Sequence, residues 1–302
     1  MKHPTIILDC DPGLDDAFAI WAALEHTELL GVTTVAGNVG VDRTTRNAER
    51  ILEAAGASVP VHQGAARPLS GETIDAAHVH GETGLGSIAS DGPAEPTSTD
   101  AISWIAGQSQ AASDLWLVAT GPLTNVAMAL QAHPELASEL AGISLLGGAI
   151  RGGNRTAAAE FNIAADPEAA EIVFTSGADL IMIGLDVSQK VRLGRKELER
   201  LRRADGPRAA MAASLLGDYI RWHEANLDRS DGAVHDPCAV LVLTHPQLFD
   251  LQERHVAIET SGRLTRGMTV IDERYRSETP NARVGYGSEA AAVVDLIVAA
   301  AL

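Results

Sequence analysis

Aromatic residues, lysines and cysteines are all scarce in this chain. Phe, Trp and Tyr together make up 4% of 302 residues, so a core has to be built from Ala, Val, Leu and Ile. The two cysteines, Cys10 and Cys238, are too few for a disulfide framework and suit a reducing compartment. Only three of the 23 basic residues are lysines, and they face 40 acidic ones, leaving a net charge of −17. A surface that acidic repels nucleic-acid polymers and anionic membranes. No apolar run approaches the length needed to span a bilayer. Met1-Lys2-His3-Pro4 leads straight toward a strand, without the charged, apolar and cleavage regions of a signal peptide. These absences predict a soluble cytoplasmic protein that partners neither a nucleic-acid polymer nor a membrane.

What is present is ordinary globular composition, 46% hydrophobic and 21% charged. The length allows one large α/β domain or two smaller ones. Apolar runs and helical patterns alternate over the first two-thirds. Thr5 to Leu8, Leu29 to Ala36, Val59 to His62, Leu115 to Ala119, Ile143 to Leu146 and Asp179 to Ile183 read as strands, and Asp42 to Ala55 as a helix. Alternation of this kind predicts an open, mainly parallel sheet covered by helices on both faces. Ligands bind such sheets at the carboxyl ends of the strands. The tail reads differently, with short strands at Val256 to Glu259, Met268 to Ile271 and Arg283 to Gly285 before an Ala/Val-rich helix. No repeat or low-complexity linker divides the chain, so residues 1–302 are expected to form a single domain. The Gly- and His-containing stretch from Gly64 to Pro96 is expected to be an active-site loop.

The densest chemistry lies in Asp9-Cys10-Asp11-Pro12-Gly13-Leu14-Asp15-Asp16. Four carboxylates follow a buried run, Pro12-Gly13 reads as a turn, and Ala17, Phe18, Ile20, Trp21 and Leu24 follow at helical spacing. One or two Asp residues serve as helix caps; four exceed that need. Carboxylates crowded at one strand-to-helix junction repel unless a cation, a proton or solvent offsets them. Hard oxygen ligands of this kind suit calcium or magnesium.

Further polar clusters follow: Ala36-Gly37-Asn38, His78-Val79-His80-Gly81-Glu82, Thr120-Gly121-Pro122-Leu123-Thr124-Asn125, Gly153-Asn154, Glu160-Phe161-Asn162 and Val234-His235-Asp236-Pro237-Cys238. Each is weak alone, since Asn38, Asn154 and Asn162 suit turns and Thr120-Gly121-Pro122 is a routine turn. In this order, and with the opening octapeptide, the set resembles the inosine-uridine-preferring nucleoside hydrolase family from about Ile6 to Met268. The resemblance implies a Rossmann-like α/β domain and calcium-dependent hydrolysis of the N-glycosidic bond of ribonucleosides to base and ribose. It also implies a homodimer or homotetramer. Asp11, Asp16 and Asp236 resemble the family's carboxylate ligands of Ca2+, and Thr120 the ligand that offers its carbonyl. Asp11 also resembles the general base, and His235 the acid that protonates the leaving base. Asp15, Asn38, Asn154, Glu160 and Asn162 resemble the ribose ligands. His80 is expected at the base, and His78 lies in the same loop. Before His235 the chain departs from the family's pattern, leaving Tyr219, Trp222 and His223 as alternatives for reaching the base. A 5′-phosphate beside Glu160 is expected to meet like charge with no Lys or Arg to offset it.

Two other classes fit parts of this pattern. A haloacid-dehalogenase-like phosphatase also opens with a strand and Asp-x-Asp. Here, however, Gly13 stands where Thr or Val is usual, and no basic cluster or Gly-rich nest awaits a phosphate. A non-catalytic nucleoside- or ribose-binding protein would use Asn and Asp on the sugar, but has no need for four crowded carboxylates. Release of free ribose separates these readings.

Overall fold

Strand β1 (Thr5–Cys10) is the axis of the molecule. Its side chains alternate across the sheet: Ile6, Leu8 and Cys10 enter one apolar layer and Ile7 the other. Both faces are buried, so the segment reads as one continuous apolar run. The computed structural model describes residues 3–88, 92–112, 114–274 and 278–302. Positions 89–91 of the expected loop, and Met1 and Lys2 at the start, lie outside the described residues.

The other strands in chain order are β2 (Glu28–Thr34), β3 (Val61–Gln63), β4 (Leu115–Ala119), β5 (Gly142–Leu146), β6 (Leu180–Ile183), β7 (Arg192–Gly194), β8 (Asp231–Ala233), β9 (Phe249–Arg254), β10 (Val256–Ile258), β11 (Thr269–Ile271) and β12 (Ala282–Ser288). Eight of them form one sheet in the order β3-β2-β1-β4-β5-β6-β12-β9, parallel throughout except for the edge pair β12–β9. Helices Asp16–His26, Pro237–Thr244 and Ala290–Ala300 pack on one face through Phe18, Trp21, Val240 and Val293. Helices Ala101–Ser109, Thr124–Ala132 and Pro167–Thr175 cover the other through Ile105, Val126 and Val173. This is the doubly covered parallel sheet that the strand-helix alternation predicts. The chain leaves β1 toward β2 and β3, then returns on the other side through β4, β5 and β6. The strand order thus reverses beside β1, and a crevice opens there at the carboxyl ends.

Two differences from the sequence reading have physical causes. Strand β1 continues to Cys10, two residues beyond the apolar run. Asp9 therefore lies inside the sheet, on the Ile7 face, and does not join the carboxylates at the junction. Its Oδ1 accepts from Thr33 Oγ1 at 2.5 Å and from Asn125 Nδ2 at 2.7 Å, and burial pushes its pKa up to about 7. Strand β9 escaped detection because an edge strand keeps one side in water. Its Asp250, Gln252, Glu253 and Arg254 give no apolar run to read.

Candidate active site

The carboxyl ends of β1, β2, β4, β5 and β6 open into a cavity of about 380 Å³, within the range of small-molecule sites. Its floor is acidic. Asp11, Asp15, Asp16 and Asp236 are all at least nine-tenths buried. Asp15, Asp16 and Asp236 each bring a carboxylate oxygen within 4.8 Å of the others. Asp11 and Thr120 line the same cavity but stand outside that group of three. Asp15, expected on the ribose side, is thus placed among the metal-competent carboxylates.

Asn38 organises this floor. Its backbone N–H donates to Asp11 Oδ2 at 2.7 Å. Its Nδ2 donates to the Asp11 carbonyl at 3.0 Å and to Asp16 Oδ2 at 3.2 Å. Asp16 Oδ2 also accepts from Gly13 N at 2.9 Å, and Asp16 Oδ1 from Thr120 Oγ1 at 3.1 Å. Glycine is required on both sides of Asp11. A Cβ at Gly37 would collide with Asp11 Oδ2, and one at Gly121 would stand 2.7 Å from Oδ1. Burial, and then the Asp16 charge, raise the Asp11 carboxyl well above the ordinary value. Burial and neighbouring Asp15 push Asp16 up to about 7, and burial with Asp15 raises Asp236 strongly. Closely spaced buried carboxylates with all-oxygen surroundings fit a hard divalent cation, which offsets the repulsion that otherwise forces protons onto them.

The sugar-side residues converge on the β4 and β5 ends. Asn162 commits both Nδ2 hydrogens to the carbonyls of Thr120 (2.8 Å) and Leu146 (3.0 Å), leaving Oδ1 as an acceptor. Glu160 caps the helix Phe161–Ala165 through Asn162 N and Ile163 N, and also holds Gly148 N at 3.0 Å. Asn154 Oδ1 accepts from Phe161 N at 2.9 Å, leaving its Nδ2 as a donor. Arg155 lines the cavity too, an exposed cation five positions before Glu160 that the expectation of no Lys or Arg there overlooked.

Over the mouth lie the short helix Ala77–His80 and the C-terminal end of helix Pro207–Leu227. His80 is buried, and its Nδ1 accepts from Leu14 N at 3.0 Å, so Nε2 carries the hydrogen in the neutral ring. Gly13 is small because the His80 ring occupies the space of its Cβ. His78 is exposed and contributes its carbonyl, which accepts from Trp222 Nε1 at 2.7 Å. Tyr219 donates its hydroxyl to the Ala233 carbonyl at 2.9 Å, so it offers the cavity its ring. His223 packs edge-on against both Tyr219 and Trp222, and burial lowers its pKa. His235 is half-buried between β8 and helix Pro237–Thr244. Its N–H donates to Asp15 Oδ2 at 3.3 Å, and its Nδ1 lies 2.8 Å from Ser188 Oγ. Burial lowers its pKa, with the Asp15 charge opposing. The sequence reading missed Ser188; its only signal was the Gly184 turn after a buried strand.

A family model described as inosine-uridine preferring nucleoside hydrolase matches residues 6–295. The chain belongs to that family. It is 46% identical, over 99% of its length and 96% of the relative's, to the pyrimidine-specific ribonucleoside hydrolase RihA of Shewanella sp. strain MR-7. The protein of that name from Shigella boydii is 43% identical, over 97% of this chain and 96% of its own. Among solved structures, a plant nucleoside hydrolase superposes with a TM-score of 0.91 at 31% identity, covering 99% of this chain and 98% of its own. The purine-preferring ribonucleoside hydrolase from Gardnerella vaginalis gives a TM-score of 0.91 at 33% identity, with 98% of both chains covered. As a nucleoside hydrolase, the chain is a glycosidase-type enzyme acting on small ribonucleosides. Among the described residues, no helix is long and apolar enough to cross a membrane.

Proposed function

We propose that this enzyme hydrolyses the N-glycosidic bond of pyrimidine ribonucleosides in preference to purine ones, with Ca2+ held by Asp11, Asp16, Asp236 and the Thr120 carbonyl, and Asp15 beside them. The observation that carries the reading is the convergence of these buried carboxylates with His235 in one nucleoside-sized cavity at the switch point of the sheet. The all-oxygen donor set supports calcium. The greater identity to relatives named pyrimidine-specific than to the purine-preferring structure supports the base preference.

When bound, the cation supplies positive charge that keeps the carboxylates ionised, acidifies a water and holds ribose hydroxyls. The protein's own groups carry the proton transfers. Asp11 takes the proton from the attacking water as the general base. The C1′–N bond breaks as the C1′–O bond forms, and positive charge develops on the sugar. Asn162 Oδ1 and Glu160 accept from ribose hydroxyls, and Asn154 Nδ2 donates to them. His235 gives its proton to the departing base, while His80 presents Nε2–H to a base carbonyl.

A reducing-sugar assay over uridine, cytidine, inosine, adenosine and guanosine tests this reading, with and without a calcium chelator. Ribose release that is fastest from uridine and cytidine and falls on chelation is expected. Faster turnover of inosine or guanosine overturns the base preference, full activity in chelator overturns the metal, and no ribose at all overturns the reaction.

A further inference from the structure

Ser188 has no part in the steps above, yet it is fully buried, lines the same cavity and ends the short helix Leu185–Ser188 after β6. Its Oγ lies 2.8 Å from His235 Nδ1 and donates to the Gly184 carbonyl at 3.1 Å. A serine has one hydroxyl hydrogen. With that hydrogen on Gly184, Oγ presents a lone pair to Nδ1, so Nδ1 carries the ring hydrogen and Nε2 is left to exchange a proton with a ligand. The same contact serves both states of the reaction, because the imidazolium and the neutral ring each keep Nδ1–H. The backbone is held as well: Val234 N donates to the Val191 carbonyl at 2.9 Å, and His235 N to Asp15. The ring is thus oriented from the Leu185–Ser188 helix, and its backbone from Val191 and Asp15.

We propose that Ser188 is a positioning residue for leaving-group protonation, holding His235 as the Nδ1–H tautomer so that Nε2 faces the base. The inference rests on the reading of His235 as the proton donor. A hydroxyl is the right size for this task. Threonine presents the same oxygen on the same Cβ, whereas alanine removes it and leaves the ring free to take the other tautomer.

Two measurements test the proposal. In the intact calcium-supplemented enzyme at pH 8, the ¹⁵N spectrum of His235 is expected to show a protonated Nδ1 and an unprotonated Nε2. A wild-type ring protonated at Nε2 overturns the proposal without any variant. Steady-state kinetics then compare Ser188→Ala, Ser188→Thr and His235→Ala on uridine and on p-nitrophenyl riboside, whose leaving group needs no proton. Ser188→Ala should lower kcat on uridine about 10–100-fold, the usual range for groups that orient a functional histidine, with KM little changed and a much smaller loss on the aryl riboside. Ser188→Thr should restore most of the loss. Equal losses on both substrates for Ser188→Ala overturn the proposal. If His235→Ala also shows no difference between substrates, the reading of His235 falls with it. If His235→Ala separates the substrates and Ser188→Ala does not, only the role of Ser188 falls.

Discussion

Replacing Asp16 with Asn should stabilise the metal-free protein while destroying its activity. Burial and Asp15 raise the Asp16 carboxyl from 3.8 to about 7. In the unfolded chain it ionises near its ordinary value. Between the two values the folded protein holds a proton that the unfolded chain has lost, so this contribution is full below about pH 4 and is lost as pH rises through about 7. At 1.36 kcal/mol per pKa unit, a shift of about three units corresponds to roughly 4 kcal/mol. For 302 residues, an unfolding entropy of about 2.1 cal/mol/K per residue turns that into a Tm loss of roughly 6 °C between pH 4 and pH 8. Asn keeps the packing. Its Oδ1 can accept from Gly13 N and Asn38 Nδ2, and its Nδ2 can donate to Thr120 Oγ1 once that hydroxyl turns. Differential scanning calorimetry in chelator from pH 5 to 8 compares the two proteins. Asp9, which titrates in the same range, slopes both curves alike, whereas the Asp16 charge also raises Asp11 and Asp236, so the difference between the curves reports Asp16 together with the relief of those two neighbours. Asn should gain on wild type as pH rises, and calcium at a hundredfold excess over its Kd should return about 3 kcal/mol to the wild type alone. Parallel curves with no gain at pH 8 refute the argument that repulsion among buried carboxylates is what a cation relieves here.

Three further outcomes follow from particular contacts. Gly37→Ala should lower kcat by at least tenfold without unfolding the protein, because the added methyl displaces the Asp11 carboxylate; unchanged turnover would show that Asp11 does not need its present place. 2′-Deoxyuridine should be a poorer substrate than uridine by ~10⁴-fold in kcat/KM, since buried groups matched to a hydroxyl are left unpaired without it; comparable values would remove the ribose assignment of Asn162 and Asn154. Trp222→Phe should raise KM for uridine about fivefold, as one hydrogen bond to the His78 carbonyl is worth ~1 kcal/mol; an unchanged KM would mean that this tie does not shape the mouth of the cavity.

Much of this molecule was legible in its sequence because the determinants are local. Apolar runs bounded by Gly, Pro and Asp mark β1, β2, β4, β5 and β6, since a strand covered on both faces must be apolar along its length. The clusters around Asp11, Asn38, Thr120, Glu160 and His235 were readable because each sits at a strand end or helix start, where chain and chemistry change together. Distances across the sheet are a different matter. Nothing local removes Asp9 from the acidic floor; Thr33 and Asn125 from neighbouring elements do, by holding its carboxylate within the sheet while the strand ends before Asp11. Nothing local sets Asp236 beside Asp15 and Asp16, which are some 220 positions away in sequence and meet because helices Asp16–His26 and Pro237–Thr244 pack on one face. The partnership of Ser188 with His235 and the turning of Tyr219's hydroxyl onto Ala233 have the same origin. Propensity and periodicity act within a few residues, and they determined the elements and the chemical inventory. Which groups face one another was decided by the packing of layers, where burial and hydrogen-bond satisfaction act between residues that the chain itself holds far apart.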